Sequence, residues 1–315
     1  MLPGPKRGER ICHEHRCTLP GGPVSVNHRH GWRSVMRVWT IAQMTVLEAV
    51  RRRIVLTALL LGLVLLAFHG AGFGIVKHQM YTDSPVFTQS VVSMNEFYSV
   101  LLMAGFYAVN FLCIMLAALL SANSLAGEIT TGTIQTLVSK PIRRIEIVLG
   151  KWLGLAILTG LYVLLMIGGL SLSVWLQSGY LPPRLPLGMG LIYLETLLVM
   201  TVSLACSSRL STLATGGVVI GLYGIAFVGS WVEQIASFLD NRAAIDLGIL
   251  SSLVMPSEAL WRRASYEMTT KLVQLLAGGP FISQSVPSPL MIVYALLYLC
   301  AVFYLGVRWF SRRDL

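Results

Sequence analysis

Six long apolar stretches, at about residues 54–76, 97–120, 149–176, 187–206, 213–231 and 290–310, govern what this chain can fold into. Each is long enough to cross hydrocarbon as a helix, which takes about 20 mostly apolar residues because backbone polar groups in lipid must be satisfied within the segment. The sequence therefore predicts an all-α integral membrane protein with six transmembrane helices. With 55% hydrophobic and only 12% charged residues, against about 25% charged in soluble domains, a water-soluble globule is excluded. The fifth stretch is short and glycine-rich. A seventh, 243–255, is too short to cross and carries Asp246, so an interfacial or re-entrant segment is expected there.

The net charge of +10 does not point to nucleic acid, because the basic residues sit beside the apolar segments instead of forming one basic domain. Their distribution sets the orientation, since cytoplasmic flanks of spans carry the excess of Lys and Arg. With the N-terminus inside, and the first 30 residues set aside, thirteen basic residues fall on the inner side (Arg33, Arg37, Arg51, Arg52, Arg53, Lys140, Arg143, Arg144, Lys151, Arg209, Arg308, Arg312, Arg313). Six fall outside: Lys77, Arg184, Arg242, Arg262, Arg263 and Lys271. Both termini are thus expected in the cytosol, with the protein multi-pass in the plasma (inner) membrane.

Residues 1–35 are polar and rich in Gly, Pro and His, and are expected to be a disordered extension or the product of a start assigned too far upstream of Met36. Cys12, His13, His15, Cys17, His28 and His30 fall within it, but spacing of this kind alone makes no metal site, and none is expected. From 36 to 53 the pattern is amphipathic. Trp39, Val46, Leu47 and Val50 share one helical face and Arg37, Glu48, Arg51 and Arg52 lie towards the other, as in a helix lying along the inner membrane surface. The alternative is an extension of the first span into the cytosol. The outer connection 232–289 is enlarged, and Pro256, Ser257 and Glu258 before Ala259, Leu260 and Trp261 look like a helix start within it. The five cysteines are too scattered for a disulfide scaffold.

The segment between the second and third spans is the most informative. Gly132 interrupts the chain, Thr133 to Ser139 can form one or two helical turns, and Pro141 stops them. Lys140, Arg143 and Arg144 then make a cationic strip at the membrane surface. By composition alone this is an ordinary positive-inside loop, and a purely topogenic role for these residues and Lys151 stands as an alternative. The run Ala126-Gly127-Glu128, Gly132-Thr133, Leu137, Ser139-Lys140-Pro141, Arg144 and 147–151, ending in Gly150-Lys151, resembles the signature of ABC type-2 transporter permeases. The layout from Met36 to Leu315 is similar as a whole, and is most like the permeases that accompany multi-copper-enzyme maturation and nitrous oxide reductase.

That resemblance implies export, with a division of labour in which two permease subunits form the substrate pathway and separate ATP-binding subunits hydrolyse ATP. It also implies a short cytoplasmic coupling helix around 133–139, with Glu128 bracing the second span and Lys140, Arg143, Arg144 and Lys151 fixing the loop or pairing with partner carboxylates. No cofactor is expected in this chain, ATP and Mg²⁺ being bound by the partner. The residues agree on one point: a phosphate-binding loop needs Gly-x-x-x-x-Gly-Lys-Ser/Thr, whereas Gly150-Lys151 is followed by Trp152 and preceded by Ile145 at the first-glycine position.

Within the apolar stretches, Glu195 stands well inside the fourth, where an ionisable group is costly and functional by default. It is expected to line the route or to pair across the bundle, and a protonated Glu bonded to a neighbouring helix in a structural role is the alternative. Asn110 and His69 are weaker candidates, for packing hydrogen bonds. Gly70/Gly74, Gly150/Gly154 and Gly217/Gly221 have the spacing that lets helices approach closely. A stand-alone secondary transporter should show inverted repeats and several intramembrane charges, and neither is evident. An intramembrane protease should show a motif such as His-Glu-x-x-His, which is absent from the sequence. A non-transporting membrane anchor for an ATPase stays open.

Overall fold

The computed structural model describes residues 27–83, 91–130, 143–239, 242–276 and 286–312. Among them the protein is helical, without a strand. The helices are α1 (Asn27–Arg51), α2 (Arg53–Asp83), α3 (Val91–Thr130), α4 (Arg144–Ser178), α5 (Leu185–Ser207), α6 (Thr212–Phe238), α7 (Arg242–Val254), α8 (Ser257–Met268), α9 (Lys271–Leu276) and α10 (Leu290–Ser311). Six of these, α2 to α6 and α10, are long and apolar enough to cross a membrane, and they match the six stretches read from the sequence. The fifth, glycine-rich stretch extends to Thr212–Ser237 as a span.

The bundle is organised around α5. About two thirds of its most apolar window is buried, against 11% for α2 and for α10, and it packs on α3, α4, α6, α8 and α10. Leu56, Leu60, Leu61, Val64 and Phe68 of α2 remain exposed. In water such a surface would drive aggregation, but lipid chains are as apolar as leucine and impose no penalty. Specific contacts must then come from close packing and hydrogen bonds between helices. Tyr162 Oη donates to Ala58 O at 3.0 Å, Tyr193 Oη to Ala156 O at 2.9 Å, Trp152 Nε1 to Thr201 Oγ1 at 2.9 Å and Ser203 Oγ to Ala118 O at 2.9 Å.

The amphipathic helix is present as α1, with its backbone beginning at Asn27, earlier than Met36. The last upstream proline is Pro23, so nothing in the backbone chemistry stops a helix from propagating back to Asn27. A break at Arg52 separates α1 from α2, so α1 is not a simple extension of the first span. Trp39, Met44, Leu47 and Val50 are exposed, while Ala42, Thr45 and Ala49 are buried against α4.

Gly150 and Gly154 explain that contact. A Cβ on Gly154 would lie 2.7 Å from Ala42 O and 2.9 Å from Thr45 Cβ, and one on Gly150 would lie 2.7 Å from Ile41 Cβ. Because a backbone oxygen cannot swing aside, Gly154→Val should lift α1 from α4 and cost about 1–3 kcal/mol. The midpoint of thermal unfolding in mild detergent is the measurement, and a variant as stable as wild type would show that α1 is not held by this contact.

The stretch at 243–255 forms α7, which packs back along α6. It turns through 103° into α8, so the enlarged connection enters the bundle as a bent helical pair. Gly229 and Gly248 let α6 and α7 meet, a Cβ on Gly248 falling 2.4 Å from Glu233 Cβ. Almost every residue of α8 is buried. Its far end is pinned by Glu267, which accepts from Arg184 at 2.5 Å and Arg263 at 2.6 Å, and Thr270 beyond it bonds Glu96 of α3.

Candidate functional site

Charged side chains gather at the end of the bundle where α1, α3, α4 and α10 meet. Lys151, one turn into the apolar part of α4, is 3% exposed. It forms an ion pair with Glu128 near the end of α3 and donates to Ser124 O at 2.7 Å. A buried ammonium is tolerable only when paired and hydrogen-bonded, and Glu128 with the Ser124 carbonyl supplies both. Lys151 thus does not reach the surface to meet a partner's carboxylate, as one expectation for it had it, because Glu128 already occupies it inside the chain. Glu128 was expected to brace the second span against the coupling and amphipathic helices; the ion pair described here ties it to α4.

Two further ties lie beside this pair. Glu146, in the first turn of α4, accepts from Arg143 N at 3.3 Å and lies 3.9 Å from Arg37 of α1, so an acidic side chain meets the positive end of the α4 dipole. Arg144 Nη1 donates to Ser311 O at 3.0 Å and to Phe310 O at 3.5 Å. These carbonyls lie in the last turn of α10, where a helix runs out of its own donors, and Phe310 O also accepts from Arg312 N. Arg143 is exposed. Gly150 sits against α1. Gly132, Thr133, Ser139, Lys140 and Pro141, and with them the expected coupling helix, lie outside the described residues, as does the Cys12 to Cys17 stretch.

A second polar group lies inside the bundle, where sequence reading found Glu195 and Asn110 but not their neighbours. Glu195 of α5 is 0% exposed. The Asn110 side chain of α3 lies within reach of it and Glu258 of α8 acts on it by charge, though neither of its oxygens completes a hydrogen bond of full geometry. Glu258, also buried, accepts from Tyr223 Oη of α6 at 2.9 Å. One turn along α8, Arg262 forms a 2.7 Å ion pair with Glu233 of α6, and both side chains are buried. Arg262 had been counted among the outer basic residues. The signal available in the sequence was the i, i+4 spacing of Glu258 and Arg262, which puts both on one face of a helix, but nothing in it showed that this helix is buried.

His69 settles into packing: its Nε2 lies 3.2 Å from Leu101 O, in space that exists because residue 105 is glycine. Among the described residues no group of His, Cys, Asp and Glu could hold a metal ion.

No curated protein matches the chain. The sequence profile of the ABC-2 family transporter proteins matches residues 39–315, a stretch that takes in all six spans, the buried ties at the α3–α4 junction and the bent pair. With that match over most of its length, this multi-pass membrane chain belongs to the ABC-2 family of transporter proteins.

Proposed function

We propose that the chain is the membrane-spanning permease subunit of an ABC exporter in the plasma (inner) membrane, with both termini cytoplasmic. Two permease subunits would form the substrate pathway, and separate ATP-binding subunits would carry ATP, Mg²⁺ and the hydrolysis. Within the family it resembles the group that accompanies multi-copper-enzyme maturation, without copper being assigned as cargo.

The observation that carries this reading is the convergence of ties around the segment 131–142. The residues on either side of it are locked into the bundle. Glu128 and Lys151 join α3 to α4, Glu146 and Arg37 bring α4 to α1, and Arg144 holds the end of α10. A force applied by a partner to this segment would reach four helices together, and bistable helix packing converts such a displacement into a change of access. Gly132, Thr133, Ser139, Lys140 and Pro141 would form the element that is pushed, and Arg143 and Lys140 would meet acidic groups of the ATP-binding subunit. Glu195 and Asn110 are closed within the bundle here, so they would line a pathway only in an opened state.

Co-purification from membranes tests it. The intact chain should bring down an ATP-binding subunit. A Lys140→Glu/Arg143→Glu variant, which leaves the Lys151–Glu128 pair untouched, should weaken recovery about tenfold, equivalent to ~1.4 kcal/mol. If a folded, monodisperse chain brings down no ATPase, the reading fails and a stand-alone transporter takes its place.

A further inference from the structure

The group around Glu195 is short of hydrogen-bond donors. The Asn110 side chain lies close enough to act on Glu195 as a hydrogen-bond partner, but Glu195 Oε1, Glu195 Oε2 and Asn110 Oδ1 are buried acceptors that complete no hydrogen bond of full geometry, and Asn110 itself is 2% exposed. The second carboxyl in the group, Glu258, acts on Glu195 through its charge. The nearby cation does not relieve this. Arg262 acts on Glu258 but is already committed to Glu233 at 2.7 Å, and it is not among the groups that influence Glu195. The other titratable neighbours are acids that are neutral in their ordinary state: Tyr107 and Cys113 from α3 and Tyr223 from α6. Tyr162 of α4 reaches only as far as Cys113, and no group of α10 acts on Glu195.

Glu195 and Glu258 are both buried where α5 packs on α8, and Arg262, the cation that acts on Glu258, is shared with Glu233, so ionising both acids at once is strongly disfavoured. A single proton removes the conflict. On Glu195 it turns an acceptor into an O–H donor that can bond Asn110 Oδ1 or the Glu258 carboxylate, whose other side is held by Tyr223. We propose that Glu195 and Glu258 are a proton-sharing carboxyl pair that latches the bent pair α7–α8 onto spans α3, α5 and α6. The bound ligand is a proton, since the group is closed to solvent and Glu195 has no exposed surface at which a larger cation could enter. Where water or a base reaches the pair, the proton leaves, two like charges face each other, and α8 is pushed away from α5.

Infrared spectroscopy of the full chain in lipid discs tests this without an ATPase, so its failure is distinguishable from failure of the permease reading. A protonated carboxyl has a carbonyl stretch that a carboxylate lacks. A buried-acid band should be present at neutral pH and disappear in Glu195→Gln, which keeps the shape of the neutral acid and so should fold. In Glu258→Gln the band should persist at a shifted frequency, because its hydrogen-bond partner has changed. A band left unchanged by Glu195→Gln overturns the proposal. So does a band that appears only when sodium is removed, which would put a metal cation where the proton is assigned.

Discussion

Arg262→Ala is expected to destabilise the protein by about 3–5 kcal/mol, the cost of leaving one partner of a buried ion pair without the other. Arg262 is 2% exposed and Glu233 5%, and they meet at 2.7 Å across the contact between α8 and α6. With the guanidinium gone, the buried Glu233 carboxyl would lose this ion pair. The lowered unfolding midpoint in mild detergent should come with faster proteolysis around α8, because α8 loses its ion pair with α6. The double variant Glu233→Gln/Arg262→Met should recover part of the loss, since the Glu233 charge goes with its partner while Glu258 still loses the Arg262 charge that acts on it. An Arg262→Ala protein within about 1 kcal/mol of wild type would mean that water reaches the pair in the folded state.

Lys151→Ala should cost a similar ~3–5 kcal/mol at the opposite end of the molecule. Lys151 holds Glu128 and the Ser124 carbonyl together, so its loss strips a cation from the junction of α3 and α4 and leaves the carboxylate in a mostly buried place. A double-mutant cycle with Glu128→Gln and Lys151→Met reads the pair directly. A coupling energy above about 1 kcal/mol is expected, since residues sharing an ion pair are not additive. Additive losses would separate the two residues energetically and remove the bracing role given to Glu128. If this junction also passes on force from a partner, Lys151→Ala should reduce coupled transport more than Gly154→Val does, because the glycine variant disturbs only the seat of α1.

Much of the architecture was legible because lipid imposes one rule that sequence displays openly: a spanning segment must be apolar along its length. All six spans follow from it, while α1 followed from its amphipathic period, its exposed Trp39, Leu47 and Val50 belonging to the apolar face read from the pattern. Small-residue spacing was ambiguous, because three similar glycine pairs have three different fates. Gly150 and Gly154 seat α1, Gly70 and Gly74 lie against Gln177 of α4, and Gly217 and Gly221 meet nothing within 4 Å among the described residues. A glycine permits a close approach but does not name the helix that makes it.

The sequence by itself determined the membrane class, the number of spans, the lack of a phosphate-binding loop and the one acid placed deep in the fourth span, each written in local composition or spacing. The tertiary structure alone decided what the charges do. Hydropathy places Glu258, Arg262 and Glu233 in a polar outer connection, yet they are buried because α7 and α8 fold back against α6 and α5. Lys151 reads as a surface cation and is instead the internal partner of Glu128. Charge and burial are set by different things: charge by the residue alone, burial by which helices close over it, and that depends on contacts between segments far apart in the chain.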